Sequence, residues 1–204
     1  MKKIAAIFDN PILYNTFQYL AGSNKARKIF VKKYISPKPN TRMLDIGCGT
    51  GDILSYLPKD LDYVGFDPLQ SCIDFCQKAG YGRGEFYRDS IESTDRHYHN
   101  EFDIIIATGV IHHLDDDAAR KLFDFSYKAL KPGGKLVTVD GAYSNEQSAI
   151  AKWMVSRDRG QFIRTPEEYK NLAMERFNIN EIKDDLLSNF LRIPYTHFIM
   201  SCIK

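Results

Sequence analysis

A short apolar run, Met43 to Ile46, ends in three glycines on alternate positions, Gly47, Gly49 and Gly51. An apolar segment this short, cut off by glycines, reads as a buried strand running into a turn. Glycine supplies main chain that takes positive φ and that a ligand can approach directly. Asp45 lies near the end of that strand, where open α/β sheets bind their ligands. The segment therefore predicts an α/β protein with its chemistry at the carboxyl ends of parallel strands.

A dinucleotide-binding turn is the nearest alternative. That turn requires G-x-G-x-x-G, the third glycine allowing a helix to pack close on its strand. Here the spacing is G-x-G-x-G and the next residue is Asp52. An acid at that point repels a pyrophosphate held at a helix N-terminus, whereas a ligand carrying a positive charge tolerates it.

Downstream, strand patterns alternate with helical ones, which predicts a parallel sheet covered on both sides. Tyr63 to Phe66 reads as a second strand, closed by Asp67-Pro68. An acid there, about 20 residues past the glycines, can accept hydrogen bonds from ribose hydroxyls; the plainer reading is an Asp-Pro turn entering a helix. Glu85 to Arg88 is a third strand, followed by Asp89-Ser90-Ile91. Phe102 to Ala107 is β-branched and apolar on both faces, as suits a central strand. Thr108 to Leu114 carries adjacent histidines, His112 and His113, and the run Leu130-Lys131-Pro132-Gly133-Gly134 turns into a strand ending at Asp140. The spacing predicts strands at 42–46, 62–66, 84–88, 102–107 and 135–140, near 177–183 and at 196–203. Helices are predicted at 52–57, 69–78, 115–129, within 145–156 and at 166–174.

Residues 44–52 and the L-K-P-G-G turn together resemble the class I S-adenosylmethionine-dependent methyltransferases, and 108–114 is similar to the small-molecule, ubiquinone-biosynthesis-like group. The match covers about residues 40–141 in the family's order. It implies a Rossmann-like, doubly wound, mostly parallel seven-stranded sheet with helices on both faces and an antiparallel edge strand. The implied cofactor is S-adenosyl-L-methionine, leaving as S-adenosyl-L-homocysteine. Its contacts would come from Asp45, Gly47, Cys48, Gly49 and Gly51. Asp67, with Pro68 and Leu69, would hold the ribose; Asp89, Ser90 and Ile91 would hold the adenine; Ala107 and Thr108 would close the fourth strand. The expected layout is one methyltransferase domain, with a helical lid at 1–39, a cofactor-binding core at 40–141, and a substrate lid with edge strands at 142–204.

Methyl transfer from a sulfonium is an in-line displacement, so the protein mainly has to position the acceptor, which can supply roughly 7–11 kcal/mol. An acceptor oxygen or nitrogen bearing a proton needs a base, and histidine suits that role near neutral pH. Candidates are His112, His113 and Asp140, with Tyr143 nearby. Adjacent histidines are expected to point apart, one into the site. The plain reading is that they cap or pack the helix that Asp115-Asp116-Asp117 begins. Arg157 and Arg159, set among Lys152, Trp153, Phe162 and Arg164, suggest an anion clamp, against which stands a solvated helix face with local ion pairs. Tyr14, Tyr19 and Tyr143 are expected at the acceptor, the first two from a helix closing over the cofactor. Lys25, Arg27, Lys28, Lys32 and Lys33 read as the outer side of a helix burying Ala26, Ile29, Phe30 and Ile35.

A net charge of +2 supplies no field that would draw nucleic acid, and no run of 18 apolar residues predicts a membrane span. The apolar N-terminus reaches Asp9-Asn10-Pro11 too soon for a signal peptide. Cysteines 48, 72, 76 and 202 form no C-x-x-C pair, which suits free thiols in a reducing cytoplasm and no metal site. The expected partner is a small, anionic or sugar-like acceptor methylated on O or N. RNA or protein methylation, and a non-methylating use of the same fold, are the alternatives.

Overall fold

The computed structural model describes residues 23–204 apart from 80, 81 and 189. Tyr14, Tyr19 and the expected N-terminal helix around them lie outside the described residues. The seven strands are β1 (Arg42–Ile46), β2 (Asp62–Asp67), β3 (Glu85–Arg88), β4 (Phe102–Thr108), β5 (Leu130–Gly141), β6 (Ile182–Leu187) and β7 (His197–Ile203). They form one sheet in the order β3-β2-β1-β4-β5-β7-β6. β1 to β5 pair in parallel, while β7 runs antiparallel to both β5 and β6. The chain winds outward from β1 through β2 to β3, then returns to β4 on β1's other side. That reversal opens a crevice beyond the carboxyl ends of β1 and β4.

Apolar residues alternate between two packed layers. Leu44, Ile46, Val64, Phe66 and Ile105 point to one face, where they meet Ala119, Leu122 and Phe123 of helix α3 (Asp116–Ala129) and Tyr169 and Leu172 of helix α5 (Pro166–Met174). Met43, Tyr63, Ile104, Ile106 and Val137 point to the other, against Phe30, Val31, Ile35, Leu54 and Leu57. Burial on both faces is what a central parallel strand requires. The caps are local: Asp115 accepts from the Ala118 amide at the start of α3, and Thr165 and Glu168 form a capping box before α5.

Several predicted boundaries move. Residues 52–56 form a 3₁₀ turn instead of an α-helix, because Gly51 enters it left-handed and Pro58 follows closely. Helix α1 (Ser23–Ile29) passes into a π-helical turn at Phe30–Ile35. There i,i+5 spacing puts Phe30 and Ile35 on one side, so Val31 is buried and Ile29 is left exposed, contrary to expectation. β5 starts at Leu130 and crosses the Pro-Gly-Gly turn through an irregularity opposite Phe102 and Ile104. β6 begins at Ile182, later than predicted, because Asn178 caps a 3₁₀ turn at Ile179–Glu181. The other two helices, α2 (Gln70–Lys78) and α4 (Ala149–Val155), fall within their predicted ranges.

Candidate active site

A cleft of about 510 Å³ lies over the carboxyl ends of β1, β4 and β5. Its floor is the glycine turn. Gly47, Gly49 and Gly51 have φ of 71°, 52° and 69°. A Cβ on Gly47 would stand 2.6 Å from the Val110 side chain, whereas one on Gly49 meets nothing within 4 Å. The first position is closed by packing and the second leaves bare main chain.

Asp67 ties this turn to β2. Oδ2 accepts from the Gly49 amide at 3.0 Å and Oδ1 from the Leu69 amide at 2.9 Å. A carboxylate has about four acceptor positions, so two remain for a ligand. Burial raises the pKa of Asp67, opposed by these two amides. Asp45 is deeper, and Tyr63 Oη donates to its Oδ2 at 2.6 Å. Burial lifts Asp45 to about 7, with the Tyr63 bond opposing and the charge of Asp67 adding.

Asp89 is engaged by its own loop. It accepts from the Ser90 amide at 2.8 Å, Thr94 Oγ1 at 2.7 Å and Arg96 Nε at 3.2 Å. One acceptor position is left. Ile91 is buried in the core layer with Phe66, and Ala107 is fully buried. Gly51, Asp67, Pro68, Leu69, Asp89, Ser90, Ile91 and Ala107 do not line this cleft, whereas Asp45, Gly47, Cys48, Gly49 and Thr108 do.

Past β4, a single 3₁₀ turn at Ile111–His113 sets the two histidines on the cleft wall. Both line it, contrary to the expectation that they point apart; the tight turn brings their rings to 4.2 Å. Asp140, at the end of β5, holds His112 twice: its Oδ1 accepts from the His112 amide at 3.1 Å and lies 2.9 Å from Nδ1. A carboxylate only accepts, so the proton sits on Nδ1 and Nε2 faces outward. Nε2 is 3.6 Å from Asp158 Oδ1. Burial pulls His112 down, but the bond to Asp140 and the charges of Asp140 and Asp158 outweigh it and leave its pKa above 6.5. His113 is lowered by burial and by His112.

The outer wall comes from α4 and the loop after it, with Trp153, Met154, Arg157, Asp158 and Arg159, and from Phe190, Tyr195 and His197. The Arg157 guanidinium stands 5.8 Å from the Trp153 ring. Arg164, counted at the sequence level with the anion-binding arginines, is buried instead. It donates to the carbonyls of Ile111, Phe162 and Leu114 and to Asp116, and so holds the His112 turn in place. Tyr143 is absent from the cleft lining; its amide bonds the Arg164 carbonyl. The sequence reading assigns no role to Asp158, Tyr195 or His197. Tyr195 lies just before β7 and His197 opens it, and both reach the cleft because β7 runs antiparallel beside β5. His197 is buried, which lowers its pKa to about 4. Among the described residues no group of three His, Cys, Asp or Glu is arranged to hold a metal, all four cysteines are free thiols, and no helix is long and apolar enough to cross a membrane.

The profile described as "Methyltransferase domain" matches residues 16–180. The chain is 29% identical over 178 residues to phosphoethanolamine N-methyltransferase 1 of Arabidopsis thaliana, covering 84% of this chain and 35% of that protein. It is 30% identical over 167 residues to phosphoethanolamine N-methyltransferase of Triticum aestivum, covering 76% and 31%. The chain thus spans about a third of the length of the curated relatives it matches. In fold it is similar to the Haemonchus contortus phosphoethanolamine N-methyltransferase 2 solved with phosphomonomethylethanolamine and S-adenosylhomocysteine. The TM-score is 0.76 at 18% identity, over 98% of this chain and 60% of that one.

Proposed function

The chain belongs to the methyltransferase-domain family, and from that premise we propose that it moves a methyl group from S-adenosyl-L-methionine to the nitrogen of a small anionic amine of the phosphoethanolamine kind. The observation that carries this is the polarity of the cleft. Asp45, Asp140 and His112 line it at the ends of β1 and β5 and on the turn after β4, while Arg157 and Arg159, with Asp158 between them, come from the loop on its outer wall. A zwitterion with an ammonium and a phosphate matches that order of charges.

The residues fit the cofactor. Gly49 offers main chain with open space before it, Asp67 keeps two acceptor positions for ribose hydroxyls, and Asp89 keeps one for an adenine amino group. Gly47, Cys48 and Thr108 shape the same floor, while Gly51, outside its lining, leads the chain into the 3₁₀ turn; Pro68 and Leu69 carry the chain past the ribose; Ile91 and Ala107 support the adenine side from the core, with Ser90 on the loop before Ile91. The bound cofactor supplies an activated methyl and its own leaving group, so no protein nucleophile is required. An amine acceptor must shed a proton before its lone pair can attack. His112 Nε2, with Nδ1 held by Asp140, is the acceptor for that proton, and His113 packs beside it. Arg157 and Arg159 orient the anionic end. Tyr143, outside the cleft lining, is assigned no contact.

In this reading 40–141 holds the cofactor, and the segments 1–39 and 142–204 serve the acceptor. Four free thiols suit a reducing compartment, and we assign the chain to the cytoplasm. A net charge of +2 favours a metabolite over RNA.

Methyl-labelled S-adenosyl-L-methionine should be offered with phosphoethanolamine, its mono- and dimethyl forms, ethanolamine and bulk RNA. Label is expected only in the phosphate-bearing amines. Transfer to RNA, or binding of the cofactor with no transfer to any of these amines, would overturn the acceptor assignment.

A further inference from the structure

Asp158 faces the Nε2 edge of His112. It is carried by the loop after α4, and its Oδ1 accepts from the Gly160 amide at 2.8 Å while Oδ2 accepts from Tyr195 Oη at 2.9 Å. Oδ1 lies 3.6 Å from His112 Nε2, on the side of the ring opposite Asp140. The loop is seated tightly on the histidine. The Phe162 amide donates to the His112 carbonyl at 2.9 Å, and a Cβ on Gly160 would come within 2.2 Å of the His112 ring.

We propose that Asp158 is a positioning residue for His112, fixing the Nε2 side of the ring and its charge, while Tyr195 fixes Asp158. This rests on His112 being the proton acceptor. The loop that brings Arg157 and Arg159 to the cleft thereby also sets the protonation of the base. With a carboxylate facing each nitrogen, the imidazolium that forms when Nε2 takes the acceptor's proton is stabilised. The other titratable and charged groups facing His112 are His113 on its own turn, Arg159 on the loop, and Tyr195 and His197 from the chain entering β7. A positive charge on His113 or Arg159 opposes the cation, His197 is uncharged where His112 titrates, and among the described residues facing the ring Asp140 and Asp158 carry the charges that favour it.

The test uses the full chain and reads His112 twice. Histidine side-chain NMR follows its titration without need of turnover, the five histidines being assigned by single substitutions. The pH profile of kcat/KM reads the acid limb. In the unaltered chain His112 titrates above 6.5. In Asp158→Asn the midpoint and the acid limb are expected about one pH unit lower, the loss of one charge at this distance. Tyr195→Phe, which frees Asp158 to turn to solvent, should move both the same way by less. Asp158→Glu should restore part of the shift. Thermal melting of each variant checks that it is folded. A His112 midpoint unmoved in folded Asp158→Asn would overturn the proposal, however far its activity fell. A shifted midpoint without methylation of any amine would support the placement of Asp158 and count against the acceptor assignment instead.

Discussion

Tyr63 Oη donates a 2.6 Å hydrogen bond to Oδ2 of Asp45, and both side chains are buried. The pair joins β2 to β1 directly beneath the glycine turn, so an acid that faces the cleft is held by a residue of the core.

That acid makes folding sensitive to pH. Burial lifts Asp45 to about 7, against about 3.9 in the unfolded chain. Between those values the folded state binds the extra proton, so stability falls as pH rises, by at most about 1.4 kcal/mol per unit, and levels off above pH 7. Asp45→Asn removes this slope. Denaturant unfolding at pH 5 and pH 8 is expected to give a larger loss in the unaltered chain than in Asp45→Asn; equal losses would refute a raised Asp45.

Gly47 and Gly49 share positive φ but not surroundings. Gly47→Ala adds a clash with Val110 at 2.6 Å to the backbone strain, while Gly49→Ala meets open space. Left-handed backbone costs about 1–2 kcal/mol for a residue with a Cβ, so Gly49→Ala should lose about that much and Gly47→Ala clearly more. Thermal unfolding of the two variants gives the comparison. Gly49→Ala should nonetheless weaken S-adenosylhomocysteine binding, because its methyl enters the cleft floor.

Asp67→Ala leaves the Gly49 and Leu69 amides without their acceptor and removes two positions offered to the ribose. Loss of hydrogen bonds to a charged group is worth about 1.5–3 kcal/mol each, so S-adenosylhomocysteine affinity should fall by at least about tenfold in calorimetry. Unchanged affinity would end the ribose assignment.

Arg159 and Arg164 are five residues apart and should behave differently. Arg164→Ala strands the Ile111, Phe162 and Leu114 carbonyls and leaves Asp116 without its 2.6 Å partner. Asp116 is largely exposed, so the cost lies in the buried carbonyls left without a donor, about 1–3 kcal/mol each, and should appear as a clear drop in unfolding midpoint. Arg159→Ala should raise KM for the phosphate-bearing acceptor, with cofactor affinity unchanged. An unchanged KM would remove Arg159 from the anion-binding role.

The parallel core was legible in the sequence because its signals are local. Met43–Ile46 and Phe102–Ala107 are apolar on both faces, the alternate glycines end β1, and Asp115 precedes its helix; each needs only near neighbours in the chain. Arg157 and Arg164 look alike as letters in a basic stretch. Only the packing of α5 and the His112 turn buries Arg164 among carbonyls while Arg157 stays at the cleft. Likewise the geometry around His112 joins Asp140, 28 residues on, to Asp158 and to Tyr195, 37 residues beyond Asp158. No periodicity links such positions. The strands, the glycine turn and the family follow from the order of residues, because hydrophobic period and backbone freedom act over a few residues. The tertiary structure decided which charges meet at His112, because that depends on the antiparallel insertion of β7 beside β5 and on the loop folded against it.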